Sequence, residues 1–434
     1  MDKPLASTEM LPLLPMQARS LANSAKGPKT RFFSWAAISD PDVDPVRLKA
    51  CLDRLMDQTD SLRAAFVWDA DRLAQRVMPQ QAGSDYVPLI HHDVKRRTEA
   101  MEDIVARHAD VINSLTGTNI ALIAVMDGAA LQDILLLANH FFLDFYSVSW
   151  VTAAAFRIYR DEAARALPPA SYGDLCRWME RRARDRQTLQ GVLDAIKPQS
   201  DSLAMPSFIA RSMIPIAGPD ARPLVNVKLD ADAVRQFRSL TQRLRTNDYW
   251  LGLALLAHLE GTGGTSPKTL HISIKESGRG ILPLNTVGLP SFLAATSEIA
   301  VPTMPGLAFE DYFARLAPLM SASNRLGVSV SNFALPGLPA DLMAAAAARI
   351  RPALLYNCVN INAFSAKPQS EGSFGIHRDQ SYSKREDLEV RFIHAQDAIQ
   401  ISVSTTKPFD ISGTAQVIGA RITQTLAQFS AVHA

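Results

Sequence analysis

Cysteine is scarce in this chain: Cys51, Cys176 and Cys358 are the three among 434 residues, and no two are closely spaced. A disulfide framework and a cysteine-rich metal site are thereby excluded, and a reducing, cytoplasmic setting is expected. Charge of one sign is also missing. The 45 Lys and Arg stand against 43 Asp and Glu, a net charge of +2, so the positive excess that wholesale nucleic-acid binding needs is absent. No secretory signal opens the chain, because Met1-Asp2-Lys3-Pro4 leads into a short Leu/Pro/Met stretch without a small-residue cleavage site. The long apolar run from Ile134 to Phe156 carries Asn139, His140 and Asp144 in its middle. Ionisable groups are costly in lipid, so a buried strand passing into a buried helix is expected there, not a membrane span. Walker A, H-E-x-x-H, C-x-x-C and a complete G-x-S-x-G are all missing. Gly327-Val328-Ser329-Val330-Ser331 lacks the last glycine of a nucleophile elbow, and Gly261-Thr262-Gly263-Gly264 follows a helical pattern, so it reads as a helix C-terminal turn.

What is present is a chain that is 47% apolar and 20% charged, enough to bury a large core. At about 100–200 residues per domain its length allows two to four domains. A helical stripe of Val46, Leu48, Cys51, Leu52, Leu55 and Met56 comes first. A strand at Arg63–Val67 and an amphipathic helix over 99–112 follow. Strands at Asn119–Val125 and Leu131–Ala138 flank the turn Asp127-Gly128. A helix from Ser147 to Ala164, stopped by Leu167-Pro168-Pro169, precedes another that begins near Tyr172. Residues 188–221 read as irregular, broken by Pro198, Pro206, Pro215, Gly218 and Pro219, and mark a boundary between two lobes. Beyond it come strands at Leu224–Leu229, Thr269–Lys275, Ala353–Ile361, Leu388–Ile393 and Ala398–Thr405. Helices are expected at Ala231–Leu244, Tyr249–Leu259, Phe309–Met320, Pro339–Ile350 and Ile411–Phe429. The class is α/β (α+β mixed), each half a sheet with helices on it.

His91-His92-Asp93, beside Lys95-Arg96-Arg97, reads as an exposed loop with Asp93 capping the next helix. His258 lies in an apolar helix and reads as core, while His108, His377, His394 and His433 show no partner in the sequence. The informative stretch is Ala138-Asn139-His140-Phe141-Phe142-Leu143-Asp144-Phe145-Tyr146-Ser147. Its histidine leaves the end of a buried strand, and an aspartate follows four residues later, before a helix. An imidazole at such a rim, in low dielectric, can take or relay a proton near neutral pH. The aspartate can brace the turn by pairing with a buried arginine. The same spacing also fits a core histidine with satisfied hydrogen bonds.

This stretch resembles the H-H-x-x-x-D-G motif of nonribosomal peptide synthetase condensation domains and their chloramphenicol-acetyltransferase-like relatives. The resemblance extends in order along nearly the whole chain. Leu11-Pro12-Leu13-Leu14-Pro15-Met16-Gln17 is similar to the opening P-L-S-x-x-Q. Ser61-Leu62-Arg63-Ala64-Ala65-Phe66 is similar to the end of R-H-E-x-L-R-T-x-F, with Gln58, Thr59 and Asp60 in place of its first three residues. Tyr172-Gly173-Asp174-Leu175-Cys176-Arg177-Trp178 resembles Y-x-D-(F/Y)-x-x-W. Ser277-Gly278-Arg279 with Val287-Gly288 resembles S-G-R and a poorly kept I-G-x-F-V-N. Arg351-Pro352-Ala353 into Val359-Asn360-Ile361-Asn362 resembles the R-x-P-L-F-Q strand, and Lys407-Pro408-Phe409-Asp410 the closing L-F-D.

The resemblance implies two chloramphenicol-acetyltransferase-like lobes, 1–190 and 191–434, in a V-shaped pseudo-dimer around a central tunnel. A floor near Gly280–Ser291 and a latch near Phe364–Gly375 would cross from the second lobe to the first. It implies an acyltransferase of natural-product biosynthesis that moves an acyl group from a carrier-protein phosphopantetheine thioester to an amine or alcohol. The partners would be an acyl or peptidyl carrier protein in trans and a small-molecule or carrier-bound nucleophile. No permanently bound cofactor, metal, nucleic acid or membrane is implied, and the expected enzyme is a free-standing monomer. His140 takes the place of the second motif histidine, which handles the acceptor proton. Asn139 replaces the first, structural histidine, where an amide bonding backbone can substitute. Asp144 is the structural aspartate, its partner Arg63 or Arg279. Phe145 replaces a glycine and either narrows the tunnel or packs as core, and Tyr146, Ser147 and Asn360 are expected at the tunnel too. Alternatives are an acyl-CoA-dependent acyltransferase and a catalytically dead recruitment module. Arg181, Arg182, Arg184 and Arg186 form a basic cluster expected on one helix, either a docking face for an acidic carrier protein or a solvated face.

Overall fold

The computed structural model describes residues 9–431 except 41, 81–84, 95–99, 165–169, 197–200, 217–223, 263–265, 280–283, 287, 324–328, 350, 361–373, 379–385, 396–397 and 406. Its first elements are α1 (Pro15–Ala22), β1 (Phe32–Ile38), α2 (Pro45–Gln58), β2 (Ala64–Asp69), β3 (Arg72–Val77) and β4 (Leu89–Asp93). Then come α3 (Met101–Arg107), β5 (Ile120–Asp127), β6 (Ala130–Asn139), α4 (Phe145–Arg160), α5 (Tyr172–Arg184) and α6 (Arg186–Ala195). The chain continues through β7 (Ser202–Leu203), α7 (Ser207–Ser212), β8 (Ile214–Pro215), β9 (Leu224–Lys228), α8 (Ala231–Arg243), α9 (Asp248–Thr262) and β10 (Lys268–Glu276). It closes with β11 (Ala295–Thr303), α10 (Phe309–Ser323), α11 (Ala340–Ala348), β12 (Leu354–Asn360), β13 (Phe374–Arg378), β14 (Leu388–His394), β15 (Ile399–Thr405), β16 (Phe409–Asp410) and α12 (Ser412–Ala431).

The first sheet runs β13-β1-β6-β5-β4, and β4 alone in it pairs in parallel, with β5. Strand side chains alternate between faces, and here both faces are covered. Ile120, Leu122, Ile134 and Leu136 pack toward α2 and α4, while Ala121, Ile123, Leu135 and Leu137 pack with Ile104 and Val105 of α3. That double burial explains why the strands read as continuous apolar runs. The second sheet runs β11-β10-β12-β14-β15-β9, with β7 beside β10. Its core is covered by α8, α10, α12 and α9, a helix whose residues from Leu251 to Gly261 are all buried. Among the described residues no helix is long and apolar enough to cross a membrane.

Most expected elements are present, with several corrections. Val46 lies outside the buried α2 stripe, at 59% exposure, because Asp44 caps the helix and Pro45 begins it at the surface. Arg63 ends a 3-10 turn and does not enter β2. His91-His92-Asp93 is not an exposed loop: it belongs to β4, and His92 is buried with its Nδ1 3.0 Å from His108 Nε2. Asp93 does not cap α3, which starts after Ala100. Helix α4 begins at Phe145 and ends at Arg160, short of Ala164. The stretch 188–221 is not irregular in its described part, and residue 190 falls inside α6. Arg186 opens α6 and so does not share the helix of Arg181, Arg182 and Arg184. Gly263-Gly264, Gly327-Val328, Lys95-Arg96-Arg97, Leu167-Pro168-Pro169, Pro198, Gly218, Pro219, Asn362, His433 and the floor and latch residues 280–283, 287 and 364–373 lie outside the described residues.

Candidate active site

β6 delivers His140 to the rim of the first sheet. Its backbone N–H donates to the Phe32 carbonyl at 2.9 Å, which holds the chain against β1 for one residue past the strand. The imidazole is 9% exposed. Its Nδ1 lies 2.8 Å from the Leu143 carbonyl and 3.1 Å from Ser34 Oγ. A carbonyl only accepts, so Nδ1 carries the proton of the neutral ring and the lone pair is at Nε2. Phe32 meets the ring edge-on at 4.5 Å, and Phe292 lies over it at 5.0 Å between centroids.

Asn139 is fully buried one residue earlier. Its amide accepts from the Phe141 N–H at 3.1 Å and donates to Asn119 Oδ1 at 2.9 Å and Ser114 Oγ at 3.1 Å. The side chain therefore does bond backbone, at the turn that aims His140.

Asp144 caps α4, receiving the Ser147 N–H at 2.9 Å. Its partner is Arg279, in a two-pronged pair of 2.7 and 3.0 Å. Arg63 is elsewhere, donating to the Asp57 and Met78 carbonyls and to Asp60, and so it clamps the end of α2. The N–H groups of Leu293 and Ala294 also donate to Asp144, at 3.1 and 2.9 Å. Burial alone would push this carboxyl up. The charge of Arg279 and the hydrogen bonds from Arg279 and Ser147 outweigh it and hold the group below its ordinary value. Ser147 Oγ receives Arg279 Nη2 at 2.9 Å and the Ser291 N–H at 2.8 Å, and it lies 2.8 Å from the Ser291 carbonyl. Gly278, at φ +66°, makes this approach possible, because a Cβ there would run into the Leu293 carbonyl.

A cavity of about 250 Å³ opens beside these groups. His140, Asp144, Phe145, Tyr146 and Arg279 all line it. The Phe145 side chain is half-buried at the cavity wall, and the Tyr146 ring lies 4.4 Å from the Arg279 guanidinium. Ser147 sits beneath, bonded to Asp144. Arg63 and Asn139 do not line the cavity, and the side chain of Asn360 lies outside the described residues. Sequence reasoning missed the charged groups that line the same cavity as His140. There Glu386 pairs with Arg19 at 2.8 Å, Glu389 with Arg391 at 2.7 Å, and Glu276 takes a hydrogen bond from Ser297. Burial raises the Glu276 carboxyl. Its place immediately before Ser277-Gly278-Arg279 was the available signal. Gln17 and Tyr172, from two distant motif fragments, meet at Gln75, with Tyr172 donating to it at 2.8 Å. Of the basic cluster, Arg182 pairs with Asp185, Arg184 with Glu180 and Arg186 with Asp341. Among the described residues no group of three His, Cys, Asp or Glu side chains is placed to hold a metal ion.

No family model matches the sequence, and no curated relative matches it. Solved structures do match. The condensation domain of the monacolin K polyketide synthase MokA superposes with a TM-score of 0.70 at 13% identity, over 97% of each chain. The epimerization domain from the third module of tyrocidine synthetase B gives 0.75 at 12% identity, covering 97% of this chain and 96% of its own. A variant of the starter condensation domain of rhizomide synthetase, in complex with C8-CoA, gives 0.67 at 16%, covering 97% and 95%. The chain has the mixed α/β fold of condensation domains.

Proposed function

We propose that the protein is an acyltransferase of the condensation type, joining a thioester-bound acyl group to an amine or alcohol. The donor is carried on the phosphopantetheine arm of an acyl or peptidyl carrier protein, and the product is an amide or ester. The observation that carries this reading is the tether of His140 Nδ1 to the Leu143 carbonyl at 2.8 Å, within the wall of the cavity. With its proton fixed there, the ring presents a basic Nε2. As the acceptor nitrogen or oxygen attacks the thioester carbonyl carbon, Nε2 takes its proton. The C–S bond then breaks, the proton passes to the departing sulfur, and a free thiol leaves. A thioester is already activated, so the remaining work is to position both reactants and to stabilise the oxyanion. Asn139 orients the turn and Asp144 with Arg279 fixes the wall. The two-lobe division at residue 190 and a cytoplasmic location belong to the same reading.

Acyl-CoA as donor is a second reading, favoured by the C8-CoA held in the rhizomide starter domain. CoA and a loaded carrier share the phosphopantetheine thioester, so one cavity can serve either. The test is incubation with octanoyl-carrier protein or octanoyl-CoA, each with amines and alcohols, read by mass spectrometry. Turnover with the carrier supports the first reading and turnover with CoA alone the second. Retention of the carrier without product from either donor would leave a recruitment module.

A further inference from the structure

Among the described residues, four carboxylates line the cavity that holds His140: Asp144, Glu276, Glu386 and Glu389. Three are matched by arginine, Asp144 with Arg279, Glu386 with Arg19 and Glu389 with Arg391, at 2.7–2.8 Å. Glu276 differs. Among the described residues its side chain has the Ser297 hydroxyl on the adjacent strand as partner, and no cation within ion-pair distance. Lys275, one residue back, directs its ammonium to Thr296 Oγ1 at 2.6 Å. A half-buried carboxylate with a single hydroxyl as partner is under-compensated, and a bound cation relieves that cost. Burial raises the group's pKa in keeping with this.

The position of Glu276 is also rigidly tied to the histidine. It ends β10, and the next three residues, Ser277-Gly278-Arg279, turn back so that Arg279 reaches both the Ser277 carbonyl at 3.2 Å and Asp144. Asp144, four residues after His140, in turn caps the helix that starts at Phe145. A single cross-linked frame therefore sets the spacing between carboxylate and imidazole.

We infer that Glu276 selects the acceptor, an amine nucleophile that carries a second, protonated amine. The inference deepens the acyl-transfer reading and rests on it for the reaction, though not for binding. The second ammonium pairs with Glu276 and stays protonated. The neutral amine attacks the thioester carbon, Nε2 of His140 takes its proton, the C–S bond breaks, and the proton passes from Nε2 to the departing sulfur, which leaves as the thiol. No oxidation or reduction occurs.

The probes are 1,4-diaminobutane and 1-aminobutane. Both amines are ammonium ions near neutral pH, and either can pair with Glu276 when no donor is present. Titration calorimetry should therefore show 1,4-diaminobutane bound about tenfold or more tightly by the wild type than by Glu276→Gln, as a charge-assisted contact implies. With an octanoyl thioester as donor, the ratio of kcat/KM for diamine over monoamine should fall about tenfold in the same variant. Equal affinity of the wild type and a folded Glu276→Gln for the diamine would overturn the inference, as would an unchanged kcat/KM ratio in that variant. If that variant melts early, the wild-type kcat/KM values decide alone, and no preference for the diamine over the monoamine would overturn the inference. Glu276-dependent diamine binding without acyl transfer from any donor would sink the transferase reading and leave the amine site standing.

Discussion

Asp144 and Arg279, 135 residues apart in the chain, meet in a buried two-pronged ion pair that joins the N-terminus of α4 to the turn after β10. Both residues are 5% exposed or less. Removing one partner of such a pair strands the other charge, at a cost of about 3–5 kcal/mol. Asp144→Ala should therefore melt well below the wild type. An unchanged melting temperature would show that the pair contributes little.

The pair also sets a pH dependence. The Asp144 carboxyl titrates below its unfolded value of 3.8 because, despite burial, Arg279 and Ser147 favour the charged form. Its contribution is complete above that unfolded value and is lost as pH falls through the lower, folded one. Chemical denaturation between about pH 5 and pH 2 should show a shallower acid decline for Asp144→Asn than for the wild type. Parallel declines would assign the acid sensitivity to other groups.

His140→Ala should lower acyl transfer by about 10²–10⁴-fold, the usual cost of a lost general base, with a native circular dichroism spectrum. Retention of most activity would end its assignment as the proton acceptor.

Two glycines at positive φ offer a matched test of the frame. Gly278 at φ +66° faces the Leu293 carbonyl, whereas Gly306 at φ +78° has open space where a Cβ would go. Gly306→Ala should cost only the backbone strain, about 1–2 kcal/mol. Gly278→Ala must also displace Leu293, which donates to Asp144, so it should lose more stability and most transfer activity. Equal melting temperatures for the two variants would contradict the frame.

Phe145 lines the cavity where the resembling motif has glycine. Phe145→Gly should shift competition between a small and a bulky acceptor toward the bulky one. An unchanged ratio together with a clear loss of stability would identify the ring as core.

Local chemistry made much of this legible from the sequence. The apolar runs around Asp127-Gly128 were legible as strands, and Asp144 as the partner of a buried arginine. What stayed hidden depended on contacts distant in sequence. The choice between Arg63 and Arg279 turned on a φ at Gly278 and on where two sheets meet, neither visible in spacing. His92 looked polar enough for a loop, yet His108 gives it a half-buried partner 16 residues on. The arginines opposite Glu386 and Glu389 likewise obscured how Glu276 stands apart.

The pairing of β13 with β1 has a consequence for synthesis on the ribosome. Ser34, which backs the His140 imidazole, lies on β1 opposite Ile376, near the other end of the chain. Until that late strand emerges, β1 presents an unpaired row of N–H and C=O groups, a template for wrong partners. The strand behind the histidine is thus completed only after the second sheet's own β10 and β12 have been made. A nascent chain halted before residue 374 should be aggregation-prone along this one edge, and a synthetic peptide of residues 374–378 is the smallest piece that could cover it.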